Sequence, residues 1–338
     1  MPPLLPLLLA CRPAPGPTAH GRDKEGSMRI LVLGSGGVGG YFGAQLARHG
    51  HTVHFVARGA HLQALREHGL RVDSPLAPVH LQPVSASPEP GDLADADVVL
   101  FCPKLWDVKA AAAQLQPALA AHTLVIPFQN GVESPGWVAD VVGPSRVAIG
   151  VAQIASTIGS PGVIAHTGSF ARMRVGLVPF PGDDAVSARL DAFVAAAKGA
   201  GIDIERSADA RRTLWEKYVF LTAMSGLTSL VRLPIGPIRA DPDLRTTLEA
   251  SMRETTALAI ARGVPFEADF VDRQMGFVDG LHADMRSSML HDLLAGRRLE
   301  APWLCGGVAR LSAEHGLPCP VNRTLYAALK PFVDGARA

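Results

Sequence analysis

The stretch Met28–Gly43, "MRILVLGSGGVGGYFG", decides the fold. Its apolar run "RILVL" (Arg29–Leu33) has the continuous hydrophobicity of a buried strand. The chain then breaks into glycines and resumes at helical spacing over Val38–Gly50, closing on a glycine after Arg48 and His49. Between the two elements, Gly34, Gly36 and Gly39 form G-x-G-x-x-G. In that setting the first glycine allows the tight turn, the second lets backbone approach a pyrophosphate, and the third lets helix and strand pack closely. An anion held there meets the free N–H groups and dipole of a helix N-terminus. A second strand, "HTVHFVA" (His51–Ala57), argues against a plain glycine-rich turn. The loop Gly34, Ser35, Gly36, Gly37, Val38 and Gly39 is therefore the candidate dinucleotide contact.

The end of the second strand selects the dinucleotide. An NAD site usually carries Asp or Glu there to accept from the ribose 2′-hydroxyl. This chain has "VARGAH", with Arg58 and no acid. A guanidinium suits the 2′-phosphate of NADP, so NADP is the expected cofactor.

Further βα units follow. A third parallel-type strand runs over Asp97–Lys104, a helix is expected over Trp106–Ala121, and "TLVIPFQNG" (Thr123–Gly131) supplies another strand. Lys104 and Asn130 end these strands, and ligands of doubly wound sheets bind beyond strand carboxyl ends, so both are candidates to face the cofactor. The β-rich runs after Gly143 are expected to extend the same sheet, and from about Ala208 the pattern is helical. The fold class is α/β: a Rossmann-type doubly wound sheet domain followed by an all-helical C-terminal domain. The expected divisions are a disordered extension over 1–27, an NADP-binding domain over 28–206, and a helical substrate and catalytic domain over 207–338.

Composition limits the function classes. The 338 residues suit two domains, and 32 basic against 31 acidic side chains give no field to attract nucleic acid or an anionic membrane. A small molecule is the expected partner. The four cysteines (Cys11, Cys102, Cys305, Cys319) form no C-x-x-C pair, which fits a reducing cytoplasm and no structural zinc. Met1–Ser27 is proline-rich and without period. "LLAC" (Leu8–Cys11) resembles a lipoprotein cleavage box but lacks a basic segment before it, so export is not expected. No run of 18 or more residues is apolar enough to span a bilayer. His49, His51 and His54 straddle a helix end and an alternating strand, so they do not converge on a metal.

Two features mark the C-terminal half. In "LWEKYVFLTAMSGLTSLV" (Leu214–Val231), Lys217, Leu221 and Ser225 recur on one helical face. A lysine there either snorkels to solvent or is held for chemistry, and the helix alone does not decide. In Ser287–Asn322, Ser288, Asp292 and Glu300 stand near two arginines, a pattern that also suits a capped surface turn.

Together and in order, the glycine loop with Arg58, the strand-ending Lys104 and Asn130 ("QNG"), "W-x-K" at Trp215–Lys217, and "SSMLHD…R…E" from Ser287 to Glu300 resemble the ketopantoate reductase family, the NADPH-dependent 2-dehydropantoate 2-reductases, from Met28 to about Asp334. The resemblance implies that Lys217 is the catalytic acid, that Asn130 touches substrate and nicotinamide, and that Ser288 and Glu300 close the site, with Lys104 and Glu300 also toward the cofactor. The family's helix carries asparagines one and two turns after the lysine. Here Leu221 and Ser225 occupy those substrate-facing positions, which points to a less hydroxylated or bulkier 2-oxo acid. The alternative is a non-catalytic NADPH-sensing protein of the same fold, although a sensor needs neither Lys217 nor Glu300. The long helices offer surface for a homodimer.

Overall fold

The computed structural model describes residues 26–93, 95–177 and 184–335, so residues 1–25 of the expected extension lie outside the described residues. The first half contains β1 (Arg29–Leu33), α1 (Gly37–Arg48), β2 (Thr52–Val56), α2 (Gly59–His68), β3 (Leu70–Asp73), β4 (Val79–Leu81), β5 (Ser85–Ser87), β6 (Val98–Phe101), α3 (Val108–Leu115), β7 (Leu124–Pro127) and α4 (Ser134–Val142). A long hairpin, β8 (Ala148–Ser160) and β9 (Val163–Leu177), follows, then α5 (Asp184–Gly199) and β10 (Asp203–Arg206).

Five of these strands form a wholly parallel sheet in the order β5-β2-β1-β6-β7. It is buried on both faces, as parallel sheets are. Ile30 and Val32 of β1 pack with Phe42 of α1 and Phe55, whereas Leu31 and Leu33 pack with Ala112 and Leu115 of α3 and Val138 of α4. The strand order reverses beside β1, which places its carboxyl end at the switch point where doubly wound sheets bind ligands.

The runs after Gly143 do not extend this sheet as expected. β8 pairs antiparallel with β9, whose other edge takes β3 and β10, so a second sheet forms against α1 and α5. A single parallel bridge, Val125 to Val147, links the two. Alternation along a strand says which side chains are buried but not which neighbouring edge the backbone joins. The expected helix over Trp106–Ala121 is also shorter. α3 stops at Leu115 and a 3₁₀ turn follows at Gln116–Ala118, because Pro117 has no N–H with which to continue the ladder.

From Ala210 onward the chain is helical. α6 (Ala210–Val231) opens on Asp209, whose side chain accepts the Arg212 N–H, and ends at Arg232 with a left-handed φ of 56°. Around it stand α7 (Ile235–Ala240), α8 (Pro242–Ala261), α9 (Phe270–Asp279), α10 (Ser288–Leu294), α11 (Cys305–Glu314) and α12 (Pro320–Leu329). Their apolar faces form a separate core that includes Trp215, Tyr218, Met252, Leu304 and Leu325. α6 also reaches back to β8, where Leu214 packs with Ile149 and Val151. Among the described residues no helix is long and apolar enough to cross a membrane, and no group of His, Cys, Asp or Glu is gathered to hold a metal.

Candidate active site

The glycine loop leaves the carboxyl end of β1 and enters α1 with the crowding its sequence implies. Gly34 has φ of +95°, and a Cβ there would lie 2.7 Å from the Cys102 carbonyl carbon and the Pro103 nitrogen beyond β6. At Gly39 a Cβ would come within 2.3 Å of the Gly34 oxygen, and at Gly37 within 2.3 Å of the Ser156 oxygen on β8. Gly36 differs: nothing lies within 4 Å of its Cβ position. The loop is tightly walled on three sides and open at the fourth. Gly36 is the N-cap of α1 without a side-chain cap, and the first turn holds no acid, so the helix presents its N–H groups to that opening. These residues fit the pyrophosphate of a dinucleotide.

Arg58 stands at the N-cap of α2, directly beyond β2, and is exposed; a guanidinium nitrogen lies 3.4 Å from the Gln114 side-chain oxygen. Lys104, also exposed, reaches across to the helical half, with its Nζ 3.5 Å from Asp292 Oδ2 on α10 and 5.6 Å over the Trp106 ring. Asp292 in turn pairs with Arg297 at 3.0 Å.

Lys217, Asn130 and Glu300, widely separated in sequence, form one hydrogen-bonded chain. The Lys217 ammonium donates to Asn130 Oδ1 at 3.0 Å and to the Ala152 carbonyl of β8 at 2.7 Å. The Asn130 amide donates from Nδ2 to Glu300 Oε2 at 2.9 Å. With a cation on one side and a carboxylate on the other, the amide's orientation is determined. Two of the three ammonium hydrogens are engaged, leaving one for an incoming oxygen.

Each member is held from behind. Gln129 donates to the Phe101 and Pro103 carbonyls at 2.8 and 3.1 Å, which ties the Asn130 turn to the end of β6. The Tyr218 hydroxyl lies 2.8 Å from the Trp303 carbonyl and 3.0 Å from that of Leu304, which fixes the turn after Glu300 onto α6. Glu300 is 7% exposed. Lys217 is partly exposed over its length, yet the surroundings of its Nζ are interior in character. Burial pushes its pKa down to about 8, and the Glu300 charge acts in the opposite direction.

The face beyond Lys217 is less open than the sequence suggests. Leu221, one turn on, is partly buried against the helical core. Ser225, two turns on, is fully buried with no partner for its hydroxyl. The same face continues to Thr228, whose hydroxyl lies 2.8 Å from that of Ser287, the N-cap of α10. Of the serine pair, Ser287 is thus the buried one, whereas Ser288 is exposed in the first turn of the helix. Sequence reasoning missed the Ala152 carbonyl, which no side chain marks, and the roles of Gln129 and Tyr218, whose signal was only their adjacency to Asn130 and Lys217.

Comparisons with known proteins agree with this architecture. The family model for ketopantoate reductase PanE/ApbA matches residues 30–179, and that for its C-terminal part matches residues 209–333. A 2-dehydropantoate 2-reductase of Halobacterium salinarum is 30% identical over 299 residues, covering 88% of this chain and 96% of its own. The crystal structure of a PanE/ApbA family ketopantoate reductase from Ralstonia eutropha superposes with a TM-score of 0.81 at 32% identity, covering 90% of this chain and 98% of that one. A D-mandelate dehydrogenase in complex with NADH and anilino(oxo)acetate shares the fold, with a TM-score of 0.80, 18% identity and coverage of 90% and 98%.

Proposed function

Because the chain belongs to the ketopantoate reductase family, whose members use a nicotinamide cofactor, we propose that it reduces ketopantoate or a closely related 2-oxo acid with NADPH, Lys217 acting as general acid. The observation that carries this reading is the Glu300–Asn130–Lys217 chain, which ends in a partly desolvated ammonium with a hydrogen to spare. Reduction of a ketone builds negative charge on its oxygen, so a site must supply a cation and then a proton there. With a pKa near 8, Lys217 is charged at neutral pH yet gives up its proton far more readily than a solvated lysine. Asn130 and the Ala152 carbonyl hold the ammonium in direction, and Glu300 keeps it charged. The bound nicotinamide would supply hydride to the 2-oxo carbon. Gly36 and its neighbours in the α1 turn would hold the pyrophosphate, and Arg58 the 2′-phosphate, where no carboxylate competes.

The substrate side of the reading rests on Leu221. Apolar and one turn from the acid, it offers contact to a methyl or ring and no donor to a hydroxyl. Ketopantoate, which carries a hydroxyl, is therefore expected to be reduced less efficiently than an unhydroxylated analogue. The test is NADPH oxidation across a panel of 2-oxo acids by wild type and Lys217→Met. The variant should lose on the order of a hundredfold or more in kcat while binding NADPH nearly as before. Wild-type turnover in the variant would remove Lys217 from the mechanism.

A further inference from the structure

The imidazole of His61, on the first turn of α2, lies between the glycine loop and the tip of the β8–β9 hairpin. Both of its partners are backbone groups, so its protonation pattern follows from them. The Gly162 N–H can only donate, and it meets Nδ1 at 3.0 Å, so Nδ1 is unprotonated. The Ser35 carbonyl can only accept, and it meets Nε2 at 2.9 Å, so Nε2 carries the hydrogen. Burial disfavours the charged ring and lowers its pKa, while the Ser35 carbonyl works the other way. The hairpin tip is itself fixed, because the Gly162 carbonyl accepts from the Arg71 N–H of β3 at 2.9 Å, and a Cβ at Gly162 would lie 3.1 Å from that of Ala64 on α2.

The Ser35 side of this link matters most. Both the N–H and the hydroxyl of Ser35 donate to the Val56 carbonyl, at 3.1 and 3.0 Å, so the residue is anchored to the end of β2. Its carbonyl belongs to the same planar unit as the Gly36 N–H, and in a trans peptide the two point in opposite directions. A bond that fixes one therefore aims the other, and Gly36 is where the loop opens into free space.

We propose that His61 is a positioning residue for the cofactor: by holding the Ser35 carbonyl, it turns the Gly36 N–H toward the pyrophosphate and transmits the rigidity of the β8–β9 hairpin to the loop. The inference rests on the dinucleotide reading of that loop. Among the described residues the ring makes no ion pair. The charged side chains of α2, its N-cap and β3 have partners of their own: Arg58 with Gln114, Arg66 with the Ala86 carbonyl, Glu67 with Gln63 and His68, and Arg71 with Asp73. Protonation would place a hydrogen on Nδ1 against the Gly162 N–H, so the contact with the hairpin holds only while the ring is neutral, whereas the Nε2 hydrogen meets the Ser35 carbonyl in either form.

The experiment measures NADPH affinity by fluorescence titration, with kcat at saturating NADPH and the melting temperature alongside, for wild type, His61→Ala, His61→Gln and His61→Asn. Gln can place an N–H near the Nε2 position, whereas Asn reaches only the Gly162 side. His61→Ala should weaken NADPH binding on the order of tenfold, with kcat within about twofold because Lys217 is untouched. His61→Gln should recover most of the affinity and His61→Asn little of it. Affinity in His61→Ala within twofold of wild type overturns the proposal, as does a loss that Gln restores no better than Asn. If wild type itself binds neither NADPH nor NADH, the dinucleotide reading falls as well.

Discussion

Replacing Glu300 with Gln gives the sharpest test of the acid. Gln can still accept from Asn130 Nδ2 at the site of the present 2.9 Å bond, so the substitution removes a charge with little change of shape. Burial holds Lys217 near 8 against the pull of Glu300, and loss of the carboxylate leaves burial unopposed. The two bonds through one amide set the charges roughly 6 Å apart, a separation worth about 3 kcal/mol at an effective dielectric near 20. Water reaching the partly exposed lysine reduces that figure, so a downward shift on the order of one pH unit is expected. With Lys217 as the proposed acid, the ammonium is the form required, so activity is expected below the pKa and lost as pH rises through it. The wild-type profile of kcat/KM for 2-oxo acid reduction should thus fall above about pH 8 and that of Glu300→Gln on the order of one pH unit lower. Near pH 6 the two enzymes should differ least, and their ratio should widen with pH toward about tenfold above pH 9. The assay is NADPH oxidation at subsaturating substrate from pH 5.5 to 9.5. A uniform loss with an unmoved alkaline limb, or a limb displaced upward, would refute the electrostatic link between Glu300 and the acid.

Two further outcomes bear on cofactor and substrate. Arg58→Ala should abolish most of a preference for NADPH over NADH while hardly changing NADH binding, because the proposed role of the guanidinium is to meet the 2′-phosphate alone; equal weakening of both cofactors would make Arg58 structural. Leu221→Asn should improve kcat/KM for ketopantoate relative to its unhydroxylated analogue, since an apolar wall discriminates by only about 1–3 kcal/mol whereas a donor to a hydroxyl discriminates more strongly. A paired assay of both proteins on both substrates checks this, and an unchanged ratio would acquit the leucine.

The first sheet was legible because a glycine loop between a strand and a helix has few other readings, and Gly34, Gly36 and Gly39 now show the crowded, open and crowded surroundings assigned to them. The second sheet was not, since the alternation in β8 and β9 is compatible with either edge and only tertiary contacts choose. Lys217 stood out as a cation heading an apolar stretch, yet the group 2.7 Å from its ammonium is a main-chain oxygen that Ala152 does nothing to advertise. The doublet Ser287–Ser288 was ambiguous for a related reason. Capping depends on the phase at which the helix begins, and one residue of phase separates a buried hydroxyl from an exposed one.

The uneven crowding of the glycine loop has a consequence for how such a sequence can drift. At Gly39 and Gly37 any side chain collides with backbone, so a replacement is removed by failure to fold, whatever the protein is used for. At Gly36 a methyl group meets no protein atom within 4 Å, so it would collide only with a pyrophosphate held by the loop as proposed. A descendant released from dinucleotide binding would therefore keep Gly37 and Gly39 and be free to lose Gly36, so on the proposed reading position 36 is where loss of the cofactor would first be written.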